Sequence, residues 1–365
     1  MNEPTGREHL TPVRITSTSA TERGGFRKCR RQWFLATVHR LDSNEGNVHF
    51  FLGTIYHKGL EAYYLAQKSG ASRDDCEVAA LDAYQDAFSD AIDKVTEQLG
   101  IAASIGLPAF REAGELGFEM LQNYVERERL DPLFDEVVAA EFRVNVAIRT
   151  PNGRKVGVLS VQADVVGRKD GELKVADHKT ASRVMPSSHL DLDDQLTAEV
   201  FAWWQASGEF PERAVYNVSY KKRVGPPEVL KKPDKLGRPK LSKARNQATT
   251  AALYKQEIHR LGLDFAEYAD ILEVLEERER NGEDTLFRRE EVFRTPGQMA
   301  AFERDLFEEW RDMKAVALHP ERAYPNPTSM NCSGCPVRAI CTTIQDDGDV
   351  SAIIQAGYTI AAPRR

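Results

Sequence analysis

The 365-residue chain lacks any run of about 18 apolar residues, so no membrane-spanning helix is expected. Its first 20 residues have no apolar stretch of the kind that directs secretion, which predicts residence in a reducing, cytoplasmic interior. Cysteine is scarce, with five in all, and in such a compartment these are not expected to act as disulfide staples. There is no internal repeat, no low-complexity tract and no Gly-x-x-x-x-Gly-Lys-Ser/Thr run, which excludes a solenoid and a fused P-loop motor. An overall basic balance is missing too, since the formal net charge is −7. Hydrophobic residues at 41% and charged residues at 29% make an ordinary globular composition, with length for about two structural units.

The acidic average hides local asymmetry. Between Lys221 and Arg245 ten Lys/Arg face two acids, Glu228 and Asp234, a local +8 that leaves −15 on the rest. A second basic stretch, Arg23 to Arg31, contains Arg27, Lys28, Arg30 and Arg31 and no acid. Such patches can attract a polyanion even on an acidic protein, because phosphate contact depends on the local field. A solvated loop is the plainer alternative.

Periodicity predicts one elaborated domain over 23–345, between a loose leader (1–22) and a tail (346–365). Thr54 is the expected N-cap of a helix to Lys68, and helices follow over 73–98 and 109–130. Three β-rich runs come next (137–148, 156–168, 172–180), separated by Asn152-Gly153 and Asp170-Gly171, the pairs that favour tight hairpins. A helix from Asp191 to Gln205, a strand over 212–222, a Pro/Lys-rich insertion (224–246), helices from Thr249 to Arg280 and a strand near Leu286 to Arg294 complete the pattern. Thr295, Pro296 and Gln298 form a capping box opening a last long helix. The fold class is mixed α/β around a small sheet.

Two-residue turns at these pairs set Asp164 opposite Asp177 and Glu141 opposite Asp164, and Lys179 shares their face because strand side chains alternate. Opposed carboxylates about 5 Å apart repel by about 3 kcal/mol at an effective dielectric of ~20. Lys179 offsets part of this, and a hard divalent cation, Mg²⁺ or Mn²⁺, offsets it better. Carboxylates fanning into water from an exposed face are the competing reading. A cation on Asp164, Asp177 and the His178 carbonyl, with Lys179 orienting water, is the set that metal-assisted phosphodiester hydrolysis requires.

Asp164 followed by Asp177-His178-Lys179 resembles the acidic residue plus (D/E)-x-K motif of the PD-(D/E)XK nucleases. Gly53 to His57 with Leu60-Glu61 resembles the Gly-plus-His helix of the RecB-like branch. The resemblance implies a restriction-endonuclease-like core with a small mixed sheet flanked by helices. It also implies His57 as metal ligand, Glu141 as auxiliary acid and Gln195 as the glutamine of the following helix, where Glu199 replaces the usual tyrosine.

Cys332, Cys335 and Cys341, with the remote Cys29, can close a four-thiolate site for structural zinc or an iron–sulfur cluster, and spacing does not choose between them. The arrangement resembles the iron–sulfur nucleases of the AddB and CRISPR-associated exonuclease type, which implies a 4Fe–4S clamp joining the chain ends. Cys76 is left over as a buried thiol. The function expected is a free-standing bacterial or phage DNA exonuclease. It would favour single-stranded DNA or free ends, with Lys221, Lys222, Arg223 and the 27–31 cations on phosphates. Tyr56, Tyr63 or Trp203 could stack bases, although core packing is the commoner role of such aromatics, and a helicase or recombination protein is a candidate partner. A non-catalytic DNA-end-binding protein and a CRISPR spacer-trimming nuclease are the alternatives.

Overall fold

The computed structural model describes residues 11–43, 48–100, 103–183, 188–233, 237–280 and 286–361. The first part runs β1 (Ser17–Ser19), α1 (Ala20–Lys28), α2 (Arg30–Trp33), β2 (Leu41–Ser43), α3 (Val48–Lys68), α4 (Arg73–Leu99) and α5 (Ala103–Leu130). The central part is β3 (Glu136–Arg149), β4 (Lys155–Lys169), β5 (Glu172–Ala181), α6 (Asp194–Ser207) and β6 (Arg213–Tyr220). Then come α7 (Ala251–Arg260), α8 (Ala269–Arg280), β7 (Phe287–Phe293), α9 (Pro296–Leu318), α10 (Ser329–Cys332), α11 (Arg338–Gln345), α12 (Ser351–Gly357) and β8 (Tyr358–Ile360).

Local chemistry sets the central meander. Asp170 and Gly171 both take left-handed backbone (φ 53° and 82°), as a two-residue hairpin turn requires, and the ladder runs from Lys169↔Glu172 to Val165↔Ala176. The preceding turn is wider than a bare Asn-Gly pair. Thr150 N–H donates to the Arg154 carbonyl (2.9 Å) and Gly153 carries the positive φ. A register shift at Ile148/Arg149 absorbs the difference, so Ala139↔Val166 to Ile148↔Gly157 keep the alignment that the two-residue turn implies. Glu141 breaks this ladder, with φ 50° between the pairs Ala140↔Val165 and Phe142↔Ala163.

The other edge of β4 is shared. Val158 to Ser160 pair in parallel with β1, and Val165 to Lys169 pair with β5. β5 continues in parallel with β6, to which α6 is the crossover, and β6 pairs antiparallel with β7. Adjacent strand residues feed opposite layers. Val165, Ala176 and Val215 pack under Tyr56, Tyr64, Leu121 and Tyr124 of α3 and α5, while Val166, Val175 and Ala214 pack against Leu196, Phe201, Phe302 and Trp310 of α6 and α9. The expected Thr295/Gln298 box forms with both its bonds, and α6 starts at Asp194, three residues later than expected, where Asp193 caps it through Leu196 N–H (2.8 Å).

Several expectations need correction. Helix α3 begins at Val48, so Thr54 is an interior residue and no cap. Residues 17–28, assigned partly to a leader, form β1 and α1, because β1 completes the edge of β4 that β5 leaves open. The assigned tail contains α12 and β8. β8 pairs antiparallel with β2, and Leu35, Leu41, Val337, Ile340, Ile344 and Val350 form the small core beneath. Residues 1–10 and 362–365 lie outside the described residues. The basic insertion packs on α7 and α8 through Leu241, with a Val229↔Leu241 bridge across it.

Candidate functional site

Beyond Val165↔Ala176 the two strands part, and the sequence-predicted carboxylates lie at the fork. Asp164 replaces the missing ladder partner with its side chain, accepting from the His178 amide at 2.8 Å. Asp177 is buried, 2% exposed, and its Oδ1 accepts from Lys179 Nζ (2.9 Å) and Gln195 Nε2 (2.7 Å). Lys179 also donates to Gln195 Oε1 at 3.0 Å, so the amide of Gln195 bridges the acid and the ammonium. The same Nε2 lies 3.1 Å from Glu199 Oε1, one helical turn further along α6. From α3, His57 Nδ1 comes to 3.6 Å from Asp164 Oδ2. A cleft of about 510 Å³ opens here, lined by Thr54, His57, Lys58, Glu61, Glu141, Gln162, Asp164, Lys179 and Lys221. Glu141 sits on its rim and accepts a hydrogen bond from Gln162.

The electrostatics follow from burial and mutual repulsion. Burial pushes the Asp177 carboxyl up to about 6, and the Asp164 charge adds to this while Lys179 opposes it. Asp164 is also buried, yet the hydrogen bond and charge of His57 and the field and amide of His178 hold it down at about 2. For His57 burial lowers the pKa, but Asp164 and then Asp177 outweigh that and raise it. Lys179 is raised in the same way, against its burial, by Asp177 and Glu199. Glu199, 1% exposed, is pushed well above the carboxylate range by burial and then by Asp177 and Asp164. Burial, Glu61 and Asp164 raise Glu141.

The donor set suits a hard cation. Asp177 Oδ2 is buried and makes no hydrogen bond of acceptable angle, although Lys179 Nζ lies 2.8 Å away. A cleft of oxygen donors, with the orphaned Asp177 oxygen buried behind it, fits Mg²⁺ or Mn²⁺ better than a soft metal. Among the described residues no three His, Cys, Asp or Glu side chains already converge in ligating geometry, so His57 and Lys179 would have to release carboxylate oxygens to admit the ion.

On the reverse face, His178 points away from the cleft. Its Nδ1 lies 2.9 Å from Asn217 Nδ2, which donates to Tyr124 Oη (2.8 Å), and Tyr124 shares a 2.6 Å hydrogen bond with Tyr64. The imidazole stacks on Tyr64 (5.3 Å, 19°), and burial pushes its pKa down to about 3. Any metal contact from this residue would therefore come from its backbone carbonyl. Glu128 ends the network, paired with Arg289 and accepting from Leu133 N–H at 2.9 Å. Sequence reasoning missed this network and the burial of Glu199. Only the i, i+4 spacing of Gln195 and Glu199 gave a signal.

Tyr56, Tyr63 and Trp203, offered as base-stacking groups, are 0%, 4% and 7% exposed and belong to the core. Of the 27–31 cations, Lys28 is exposed, whereas the three arginines contact the protein itself. Arg27 binds both oxygens of Glu309 (2.5 and 2.8 Å), Arg30 stacks between Phe26 and Tyr324, and Arg31 donates to the Ala323 carbonyl. Of the second set, Lys221 lines the cleft, Lys222 lies 5.3 Å over the Tyr220 ring and Arg223 pairs with Glu119 at 3.0 Å.

Cys29 lies between α1 and α2, Cys332 ends α10, and Cys335 and Cys341 follow at α11. All four are half-buried free thiols, whereas Cys76 is buried in α4. Burial raises Cys335 and Cys341, and the nearby thiols, Cys29 and Cys332 among them, add to both shifts. Asn326 N–H reaches Cys29 Sγ at 3.4 Å, and the side chains of Asn326 and Asn331 hold the Lys28 carbonyl (3.0 and 3.1 Å). These shifts place the four thiols in one another's neighbourhood, while among the described residues no three of them already converge in ligating geometry.

A family model described as the PD-(D/E)XK nuclease superfamily matches residues 17–342. No curated protein matches the chain.

Proposed function

We propose, for a chain that belongs to the PD-(D/E)XK nuclease superfamily, a metal-dependent deoxyribonuclease that removes nucleotides from DNA ends, single-stranded DNA being the favoured form. The observation that carries this reading is the fork itself: Asp164 and Asp177 on diverging strands with Lys179 fixed between Asp177 and Gln195. Asp164, Asp177 and the His178 carbonyl would hold Mg²⁺ or Mn²⁺, with His57 and Glu141 beside them. When bound, such an ion lowers the pKa of water and neutralises charge on a phosphodiester. Lys179, held in one position by two acceptors, orients the attacking water and offsets charge developing on the phosphorus oxygens. Gln195 keeps that ammonium aimed at the cleft. Lys58 and Lys221 at the rim supply phosphate contacts that fix the strand's register without reading sequence. A binding-only role gains nothing from a buried carboxylate such as Asp177, whose ionisation costs free energy unless a cation is bound.

Cys29, Cys332, Cys335 and Cys341 are read as the ligands of a 4Fe–4S cluster, with zinc the alternative. Supporting this are the effects of the neighbouring thiols on Cys335 and Cys341 and the packing of Cys335 on the small core under the β2–β8 pair, where a four-ligand clamp would tie the chain ends.

The test is incubation of anaerobically purified protein with linear and circular DNA, single- and double-stranded, with Mg²⁺ or Mn²⁺, alongside Lys179→Ala. Metal-dependent loss of linear DNA alone is expected, slowed at least about 100-fold in the variant. Equal rates in parent and variant would overturn the assigned site. Cleavage of closed circles would overturn the end-dependent reading, and intact DNA in every reaction would overturn the enzymatic one.

A further inference from the structure

Helix α6 starts among charges of both signs. A helix N-terminus carries positive partial charge and prefers anions, supplied here by Asp193 and Asp194, and three guanidiniums in turn close on that start. Arg23, fully buried, places Nη1 2.9 Å from Asp194 Oδ2, at an angle too bent for a hydrogen bond, and Nε 2.5 Å from Glu309 Oε2. Arg27 reaches Asp194 Oδ1 at 3.1 Å while gripping Glu309. From the other side Arg294, 2% exposed, donates to the Leu190 carbonyl (2.8 Å) and to Thr197 Oγ1 (3.0 Å).

Buried ion pairs add little stability, because apolar side chains of similar volume do as well or better, yet separating such a pair strands an uncompensated charge, so the partners resist displacement. What is fixed here is the first turn of α6. Gln195 follows Asp194 directly and makes the 2.7 Å contact with Asp177 and the 3.0 Å contact with Lys179. At the other end of the linkage, Arg27 stands two residues before Cys29, with the Lys28 carbonyl between them held by Asn326 and Asn331.

We infer that Arg23 and Arg27 are positioning residues for the hydrolytic site. Through Asp194 and Glu309 they set the first turn of α6 and hence the seat of Lys179, and they tie that seat to the cysteine-bearing chain ends. This rests on the nuclease reading above. A misplacement of about 1 Å in a reacting group can cost 100-fold in rate, so the linkage reaches the chemistry without touching substrate.

The experiment compares parent, Asp194→Asn, Arg27→Ala, Gln195→Ala and the Asp194→Asn/Gln195→Ala double variant in full-length protein, by steady-state cleavage and by hydrogen exchange of peptides covering residues 193–201. Asp194→Asn keeps the size and the helix-start preference but removes the charge. It is expected to lower kcat about 10-fold with KM within twofold, to speed exchange in these peptides, and to add less than twofold loss in the Gln195→Ala background, because both changes act through one contact. Arg27→Ala, altering a half-exposed side chain that tolerates truncation, is expected to reproduce the exchange change. Losses that multiply in the double variant, or unchanged exchange in both Asp194→Asn and Arg27→Ala, overturn the proposal. If the parent cleaves no DNA, the nuclease reading falls on its own, and the exchange comparison still decides whether the arginines hold α6.

Discussion

Replacing Asp177 by Asn removes the one fork carboxylate that the metal-free fold holds against its preference for ionisation. Burial pushes this carboxyl up to about 6 from a reference of 3.8. Below 3.8 it is protonated in folded and unfolded chains alike, and its contribution is fully present. As pH rises towards 6 the unfolded chain releases the proton first, so folding stability falls, by about 3 kcal/mol in total at ~1.4 kcal/mol per unit. Lys179, whose pKa is raised by Asp177 and Glu199 against its burial, stays charged throughout this window, so loss of its partner offsets the variant by a constant amount. The assay is urea unfolding of parent and Asp177→Asn in chelator, between pH 4 and 7. The stability difference, parent minus variant, is expected to fall by about 2 kcal/mol across that range, the rest being lost below pH 4. Mg²⁺ binding needs the ionised carboxylate, so the ion should bind more tightly as pH rises through about 6 and should restore the lost stability in the parent alone. A pH-independent difference, or one that grows with pH, would refute the assignment of Asp177 as the strained buried acid.

Two further outcomes test the framework around the site. A β-carbon at Gly157 would lie 2.4 Å from Cε2 of Trp310, whose indole donates to the Val156 carbonyl. Gly157→Ala is therefore expected to destabilise by about 1–3 kcal/mol in urea titration, and an unchanged midpoint would show that α9 does not pack here. Cys341→Ser is expected to strip bound iron, or zinc, from anaerobic preparations and to make the β2–β8 chain ends sensitive to protease before the central sheet. Full metal content in that variant would remove Cys341 from the ligand set.

Much of the site is legible in the chain because its determinants are local. The Asp170-Gly171 turn and the two-residue repeat of a strand suffice to align Asp164, Asp177 and Lys179, and the i, i+4 relation already relates Gln195 to Glu199. Glu141 is half-legible: the register places it across from Asp164, but nothing in the sequence announces its left-handed backbone or the break in the ladder. Arg23 and Arg27 show the limit of local charge counting. The density of cations around them suggests a surface for phosphate, whereas the partners of these two, Asp194 and Glu309, lie far along the chain.

The sequence by itself therefore determined the strand faces, the Asp170-Gly171 turn, the Thr295/Gln298 box and the residue types of the cleft, since each depends on neighbours within a few residues. Only the tertiary structure decided that β4 would share one edge between β1 and β5 and so leave a fork. It alone brought His57 across from α3, buried Glu199 beside Gln195, and closed the chain ends through β2 and β8. Those outcomes depend on which distant surfaces exclude water from one another, and burial of that kind sets both the geometry and the pKa values on which the proposed chemistry rests.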